Sequence, residues 1–190
     1  EPVGYEVTLE PSNRPWLLAL DAPVKPPQIP GLRVMATPDL QWVANRAIGD
    51  LLRYRAESYP QFQSGPLRRT GALQRYVALP PGSNPRTVAM AAQMKADPAL
   101  ADAATPAYVQ AALDRLRTGG YSYTLEPGLY GNETADEFWF ERKAGFCEHI
   151  ASAFVVLMRA LDIPARIVTG YQGGELNGVD GYWVLRQADA

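Results

Sequence analysis

The only cysteine of this chain, Cys147, is the residue whose position is most typical of covalent catalysis. It stands just before an apolar run from Ile150 to Leu161 whose spacing is helical. A thiol in the first turn of a helix lies beside unpaired backbone N–H groups and the positive end of the helix dipole. Both favour the thiolate, which is the nucleophilic form of cysteine, so the pattern predicts a candidate nucleophile at Cys147.

The residues alone leave a second interpretation of Cys147 open, since a lone helical cysteine also serves as a small buried hydrophobe. Helical spacing places it on the same side as Ile150 and Phe154, so we expect the thiol to face the core. Gly145 lets the chain turn tightly into the helix. The nearby aromatic residues either form the wall of a desolvated slot in front of the sulfur or belong to the core: Phe138, Trp139, Phe140 and Phe146.

A general base for the thiol is not evident. His149 is the only histidine, and residues two apart on a helix point roughly 200° apart, so it does not face Cys147. We interpret His149 as a helix-face residue bonded to the backbone or to solvent. For an oxyanion, the backbone N–H of Cys147 is the natural first donor. The indole N–H of Trp139 is a second candidate, although a core tryptophan is the favoured interpretation.

Several carboxylates precede and follow Cys147 in the sequence: Glu133, Asp136, Glu137, Glu141 and Glu148. Their spacing lacks the alternating ligands and central glycine of a calcium loop, so we interpret them as a solvated loop. A single cysteine excludes a zinc site built on several thiolates and any internal disulfide. No phosphate-binding glycine motif is present. The residues therefore imply neither a metal nor a cofactor.

The composition is that of a globular protein, with 47% hydrophobic and 20% charged residues. The net charge of -2 gives no electrostatic indication of binding to nucleic acid or to an anionic membrane surface. No apolar run approaches the roughly 20 residues of a membrane helix. Because the chain opens at Glu1 without methionine, we expect it to be part of something longer.

The first eighty residues are predicted to be rich in β-strands. Short strand patterns separated by Pro, Gly, Ser and Asn occur at Tyr5–Leu9, Trp16–Leu20, Gly31–Met35 and Arg75–Leu79. The segment Pro38–Ala56 is ambiguous, because its apolar residues also fit an amphipathic helix. Pro80 and Pro81 interrupt the pattern, so we place a boundary near residue 80 and predict domains 1–80 and 81–190.

The second part is predicted to contain helices first and strands later. Helices are expected at Pro85–Lys95 and Pro106–Arg117, the second with Thr105 as N-cap and glycines after its end. A helix from Phe146 to Pro164 follows, after a loop at Glu126–Asp136. Strand character is expected at Ile163–Tyr171 and Gly181–Arg186, joined by a loop that carries glycine turn pairs.

The region around Cys147 resembles the core of the bacterial transglutaminase-like superfamily. The residues that carry the resemblance are Gly145-Phe146-Cys147-Glu148-His149-Ile150-Ala151-Ser152-Ala153-Phe154, Leu157-Met158-Arg159-Ala160-Leu161-Asp162-Ile163-Pro164-Ala165-Arg166 and Val168-Thr169-Gly170-Tyr171. Within this superfamily, the region most resembles the inner-membrane proteins of the TgpA type, which carry this core as a periplasmic domain between membrane helices. The resemblance implies that Cys147 is the nucleophile and that no metal or cofactor is needed.

The same resemblance implies a histidine and an aspartate that complete the triad after the strand matching Tyr182–Ala188. The 190 residues do not contain them, so we expect this chain to be inactive alone. In the complete protein, the resemblance implies glutamine acyl transfer to an amine through a thioester, with protein or peptide substrates and anchoring in the inner membrane by helices outside this chain. The implied fold is α+β, a truncated papain-like transglutaminase core preceded by a β-rich part.

Two alternatives to transglutaminase activity stay open. The same thiol, base and orienting residue hydrolyse amides when water is the acceptor, so a cysteine peptidase or amidase is one. A non-catalytic scaffold module, in which the core serves only for docking, is the other.

Overall fold

The fold is that of a computed structural model, which describes residues 1–66, 70–100 and 104–186. The chain folds into two compact units, residues 1–67 and 68–190. The division lies earlier than the boundary near residue 80 that the sequence suggests. Residues 71–80 belong to the second unit because their carbonyls bind it: Tyr76 accepts from the Ala165 N–H at 3.0 Å, and Ala78 from the Arg159 guanidinium at 3.2 Å.

The first unit consists of two small antiparallel sheets. Its strands are β1 (Val3–Leu9), β2 (Trp16–Leu17), β3 (Val34–Ala36), β4 (Trp42–Ala44) and β5 (Leu52–Ser58). Strand β1 pairs with β5 in one sheet, and the other has the order β2-β4-β3. The β-rich character of this part is thus confirmed. The ambiguous segment Pro38–Ala56 contains β4 and most of β5, and no helix.

The core of the first unit comes from the inward faces of both sheets. Alternation along β5 buries Tyr54, Ala56 and Ser58 and leaves the residues between them exposed. The buried set is Leu9, Leu17, Trp42, Ala44, Ile48, Tyr54 and Ala56. Because the Tyr54 hydroxyl donates to the Leu18 carbonyl at 2.5 Å, this core also holds the chain that follows β2.

The second unit begins with a short 3₁₀-helix, Gly71–Tyr76, so the strand predicted at Arg75–Leu79 is wrong. Its other elements are α1 (Pro85–Ala96), α2 (Thr105–Thr118), β6 (Ser122–Tyr123), α3 (Thr134–Glu137), a π-helical segment Phe138–Arg142, β7 (Ala144–Gly145), α4 (Cys147–Ala160), β8 (Glu175–Leu176) and β9 (Trp183–Val184). The predicted helices are confirmed to within a few residues. Thr105 is the first helical residue of α2 and not its N-cap, which is Ala104.

The strand predicted at Ile163–Tyr171 is absent. The N–H groups of Ile163 and Ala165 donate instead to the carbonyls of Met158, in α4, and Tyr76, in the 3₁₀-helix. Within the predicted strand Gly181–Arg186, only β9 forms, and it pairs with β8. Residues 187 and 188 at the end of the Tyr182–Ala188 pattern lie outside the described residues.

The core of the second unit forms where α4 packs on α1, α3 and the π-helical segment. Its buried members are apolar residues of α1, α2, α3, the π-helical segment and α4, together with the C-cap residue of α4: Met90, Ala91, Ala112, Ala135, Phe138, Trp139, Ala153, Leu157, Met158 and Leu161. Together, the helices and short strands confirm the α+β class. Among the described residues, no helix has both the length and the apolarity needed to cross a bilayer.

Candidate functional site

Cys147 is the first residue of α4 and its side chain is exposed to solvent. The expectation of a core-facing thiol is therefore wrong. The buried residues of α4 begin at Ala153, because the elements that pack on the helix cover it from its second turn onward. Cys147 itself is outside that packing, so the sulfur is accessible from solvent.

The start of α4 carries no side-chain cap. Phe146, the N-cap residue, has an extended backbone and forms no side-chain hydrogen bond to the N–H groups there. An uncapped helix start leaves several backbone N–H groups without an intrahelical partner. These donors lie at the residue that bears the thiol, which is the arrangement an oxyanion requires.

The strand before Cys147 is held in place by the segment that follows α2. Strand β7 pairs in parallel with β6, and the Ser122 and Thr124 N–H groups donate to the carbonyls of Lys143 and Gly145 at 2.8 and 2.9 Å. The Lys143 ammonium donates to the Gly119 carbonyl at 3.1 Å. The backbone that leads to the cysteine is therefore held by its pairing with β6 and by the side chain of Lys143.

His149 packs between two aromatic rings. Its ring centroid lies 4.4 Å from that of Phe146 and 4.5 Å from that of Tyr130. The imidazole Nδ1 is buried and has no hydrogen-bond partner among the described residues. The ring of His149 thus packs against its aromatic neighbours, and its Nδ1 is not bonded to the backbone of the described residues.

The close approach of His149 explains the glycine of the motif. A carbon added at the Cβ position of Gly145 would lie 2.7 Å from the Cβ of His149, a distance that real Cβ atoms essentially never show. Tyr130, the other neighbour of His149, donates to the Ala144 carbonyl at 2.8 Å. Burial raises the pKa of the Tyr130 hydroxyl. Together these contacts fix β7 against the first turn of α4.

Trp139 belongs to the core, as the favoured interpretation predicted, and is completely buried. Its indole N–H donates to the Ala153 carbonyl at 3.0 Å, so this donor is committed inside the protein and does not serve an oxyanion. Phe138 is buried as well. The aromatic slot in front of the sulfur is therefore not formed by these two residues.

One of the carboxylates before Cys147, Asp136, has a structural role that the sequence did not suggest. Asp136 is buried and accepts hydrogen bonds from the Arg86 N–H at 2.9 Å, the Thr87 N–H at 2.7 Å and the Thr87 hydroxyl at 2.6 Å. It thereby caps the first turn of α1, so the solvated-loop interpretation is wrong for this residue. Glu141 and Glu148 are exposed, as expected.

Asn84 reciprocates this cap from the other helix. Its side-chain oxygen accepts from the N–H groups of Ala135 at 2.9 Å and Asp136 at 3.1 Å, at the start of α3. Glu133 accepts in turn from the Asn84 N–H. Two helix starts thus cap each other, and no group of three or more His, Cys, Asp or Glu side chains among the described residues is arranged to hold a metal ion.

A groove of about 760 Å³ lies beside the first two turns of α4. Its lining includes the residues on either side of Cys147 and the whole of the loop that precedes Tyr130: Leu125, Glu126, Pro127, Gly128, Leu129, Tyr130, Thr134, Phe146, Glu148, His149 and Ser152. The sequence analysis assigned this loop no function. The sequence feature that could have pointed to the groove is the pair of leucines around Pro127-Gly128. In the structure, both Leu125 and Leu129 are largely exposed.

Comparison with known proteins gives matches over both units. The model of the transglutaminase-like superfamily matches residues 91–189, and that of the TgpA N-terminal domain matches residues 1–65. A protein-glutamine gamma-glutamyltransferase from Pseudomonas aeruginosa is 37% identical over 186 residues, and YebA, an uncharacterized protein from Bacillus subtilis, is 40% identical over 70 residues. The matches cover 98% and 35% of this chain and 27% and 10% of those relatives.

Two solved structures have the same fold over the whole chain. They are crystal structures of the periplasmic domain of TgpA from Pseudomonas aeruginosa, one of them bound to ethylmercury. Each has a TM-score of 0.87 and 35% sequence identity, and this chain spans 65% and 63% of the two solved chains. With an accessible cysteine at an uncapped helix start and a family model that matches more than half of its residues, the chain belongs to the transglutaminase-like superfamily.

Proposed function

We propose that Cys147 is the nucleophile of a glutamine acyl transfer in the protein to which this chain belongs. The observation that carries the proposal is the exposed thiol at the uncapped start of α4, within a chain of the transglutaminase-like superfamily. The name of the relative from Pseudomonas aeruginosa, protein-glutamine gamma-glutamyltransferase, supports this reaction.

The proposed reaction has two steps. The thiolate of Cys147 attacks the side-chain carboxamide of a glutaminyl residue, the C–N bond of the amide breaks, and ammonia leaves with a proton from the general acid. The resulting thioester is then attacked by a primary amine such as that of lysine, which forms the new amide and releases the thiol. Protein or peptide donors and amine acceptors are therefore the proposed partners, and the residues call for no cofactor.

Both steps pass through a tetrahedral oxyanion, and the first-turn N–H groups of α4 are the proposed donors to it. The N-cap residue Phe146 forms no side-chain hydrogen bond to these N–H groups. The alignment of backbone dipoles in a helix adds a partial positive charge at the same place. Removing one such donor from an acyl-transfer site typically slows the reaction by about 10²–10³-fold.

The general base is proposed to come from residues other than 1–190. This chain has one histidine, and its ring packs between Phe146 and Tyr130. A thiol without its base and orienting residue lacks the coupled action through which triads work. We therefore propose that residues 1–190 alone do not turn over, although the thiol is accessible to reagents.

The proposed location is the periplasm, as a domain of a bacterial inner-membrane protein. The likeness to the periplasmic domain of TgpA supports this location. The membrane helices of the proposed parent would lie outside residues 1–190.

The deciding experiment uses a polypeptide that continues past Ala190 through the region where the superfamily carries its histidine and aspartate. It is incubated with a glutamine-rich protein and a primary-amine probe, with Cys147→Ala as control, and the products are identified by mass spectrometry. Attachment of the probe to glutamine only when Cys147 is present supports the proposal. Amide hydrolysis without transfer would favour the peptidase or amidase, and an untouched acceptor would favour the scaffold module.

A second experiment tests the thiol of residues 1–190 directly. Because Cys147 is the only cysteine and is exposed, we expect one equivalent of an organomercurial or iodoacetamide to react with the folded chain. The relative that was crystallised with ethylmercury makes such a reagent a natural probe. Labelling that required denaturant would contradict the accessible site.

A further inference from the structure

The sheet formed by β2, β4 and β3 has an apolar row on the face that points away from the core. Trp16 and Met35 both lie directly opposite Val43, so the three side chains stand side by side. Trp16 and Met35 are each 57% exposed. Their neighbours along the strands, Leu17 and Trp42, point the other way and are buried. The row therefore lies on the outer face of the sheet and is separate from the core.

Two exposed arginines lie just before the strands at one end of the row. Strands β2 and β3 are both antiparallel to β4 and so begin at the same end of the sheet. Arg14 and Arg33 each stand two residues before the exposed residue of their strand, and both are exposed. Neither forms an ion pair with a carboxylate of the described residues. The face is thus apolar in the middle and cationic at one end.

The polar residue between the two arginines is neutral. The Arg33 N–H donates to the side-chain oxygen of Asn45 at 3.0 Å, and the Asn45 N–H donates to the Arg33 carbonyl at 2.9 Å. Asn45 therefore extends the pairing of β3 with β4 by one more step. The acidic residue Asp39 lies in the turn between β3 and β4, at the opposite end of the sheet.

We propose that this face binds the surface of an anionic lipid bilayer. Tryptophan is enriched where membrane meets water, since its ring is apolar and its N–H is polar. Exposed Met35 adds apolar contact at the same level, and the two guanidinium groups would bind lipid phosphates. A second copy of the chain fits less well, because the outward face has no carboxylate beside Asn45 to meet the arginines. The net charge of -2 does not oppose this binding, because charges beyond about 10 Å are screened.

The test measures binding of the whole chain to vesicles by co-sedimentation at about 0.1 M salt, where charges more than about 10 Å apart are screened. Vesicles of phosphatidylglycerol mixed with phosphatidylcholine are compared with phosphatidylcholine alone. We expect Arg14→Ser with Arg33→Ser to weaken binding about 25-fold, since each arginine near an anionic surface contributes about fivefold. Trp16→Ser with Met35→Ser is expected to reduce binding at least about tenfold, because it removes the apolar contact.

Matched controls separate this face from exposed residues elsewhere. Trp183→Ser removes a tryptophan that is 66% exposed in the second unit, and Arg55→Ser removes an exposed arginine of β5. Both are expected to leave binding unchanged. Because the altered residues of the face are exposed, the variants should keep the circular dichroism of the original chain.

A second readout follows the position of Trp16 itself. Lipids brominated near the headgroup should quench tryptophan fluorescence in the original chain, and Trp16→Phe should remove that quenching while binding persists. The proposal is overturned if the chain does not bind anionic vesicles or if the face variants bind as well as the controls. It is also overturned if sedimentation shows that the only effect of Trp16→Ser is to convert a dimer into a monomer. The last outcome would assign the face to a second copy of the chain.

Discussion

The reciprocal caps between α1 and α3 predict that Asp136 is among the most important residues for the stability of the second unit. The carboxylate accepts three hydrogen bonds, and two of them come from Thr87, which is completely buried. Losing a helix cap costs about 1 kcal/mol. Each buried donor left without a partner adds about 1–3 kcal/mol. Counting the cap and the two buried Thr87 donors, we expect a loss of about 3–7 kcal/mol in the free energy of unfolding for Asp136→Ala.

The assay is urea denaturation followed by the helical signal in far-ultraviolet circular dichroism. All the helices of the described residues lie in the second unit, so this signal reports the unit that contains Asp136. Asp136→Asn keeps one acceptor oxygen but loses the charge, and we expect about 1–2 kcal/mol. The matched control is Glu141→Ala, which breaks an exposed ion pair with Arg86 and should cost less than about 1 kcal/mol.

A double-mutant cycle tests whether the two caps act together. Asn84→Gly removes the amide that caps α3 but accepts the left-handed backbone at this position, where φ is 48°. Since each residue sits in the helix start that the other caps, we expect a coupling of about 1–2 kcal/mol with Asp136→Ala. If the free energy of unfolding of Asp136→Ala lies within about 0.5 kcal/mol of that of the original chain, the cap contributes no stability and the reasoning fails.

Two further changes have definite expected results. Gly145→Ala forces its new methyl against the Cβ of His149, and we expect a loss of about 1–3 kcal/mol in thermal or urea unfolding. The loss should shrink when Gly145→Ala is introduced into a His149→Gly chain, which lacks that Cβ, and an unchanged single variant would contradict the contact. Burial raises the pKa of Tyr54, so the folded chain holds a proton that the unfolded chain loses above about pH 10. Stability should fall by up to about 1.4 kcal/mol per pH unit above that point, and in Tyr54→Phe the fall should be shallower by that amount when urea midpoints are compared between pH 9.5 and 11.

The helices were predictable because their signals are local. Pro85 and Pro106 stand at the first or second helical residue of α1 and α2, where the missing N–H of proline has no consequence. Strand β1 alternates over seven residues, which a short window captures. Segment Pro38–Ala56 was ambiguous for the same reason, because its apolar spacing fits two periods and only pairing with β1, β2 and β3 decides between them.

The features that the sequence did not predict depend on contacts between distant residues. Asp136 lies 49 residues from Thr87 along the chain, so nothing in its immediate sequence distinguishes a buried cap from a solvated carboxylate. The exposure of Cys147 also depends on how other elements pack on α4, which its immediate sequence does not show. Helical spacing predicts the direction of a side chain around the helix axis but not how far the packed neighbours extend along the helix.

The motif from Gly145 to His149 shows how chemistry and positioning are separated within five residues. Cys147 is exposed to solvent, while His149 and Phe146 contact each other edge to face. Since that contact leaves no room for a side chain at Gly145, the glycine follows from the packing of His149 as well as from the turn into α4. A histidine that follows a cysteine by two residues therefore needs no part in proton transfer: its ring holds β7 against α4, and this contact fixes where the thiol stands.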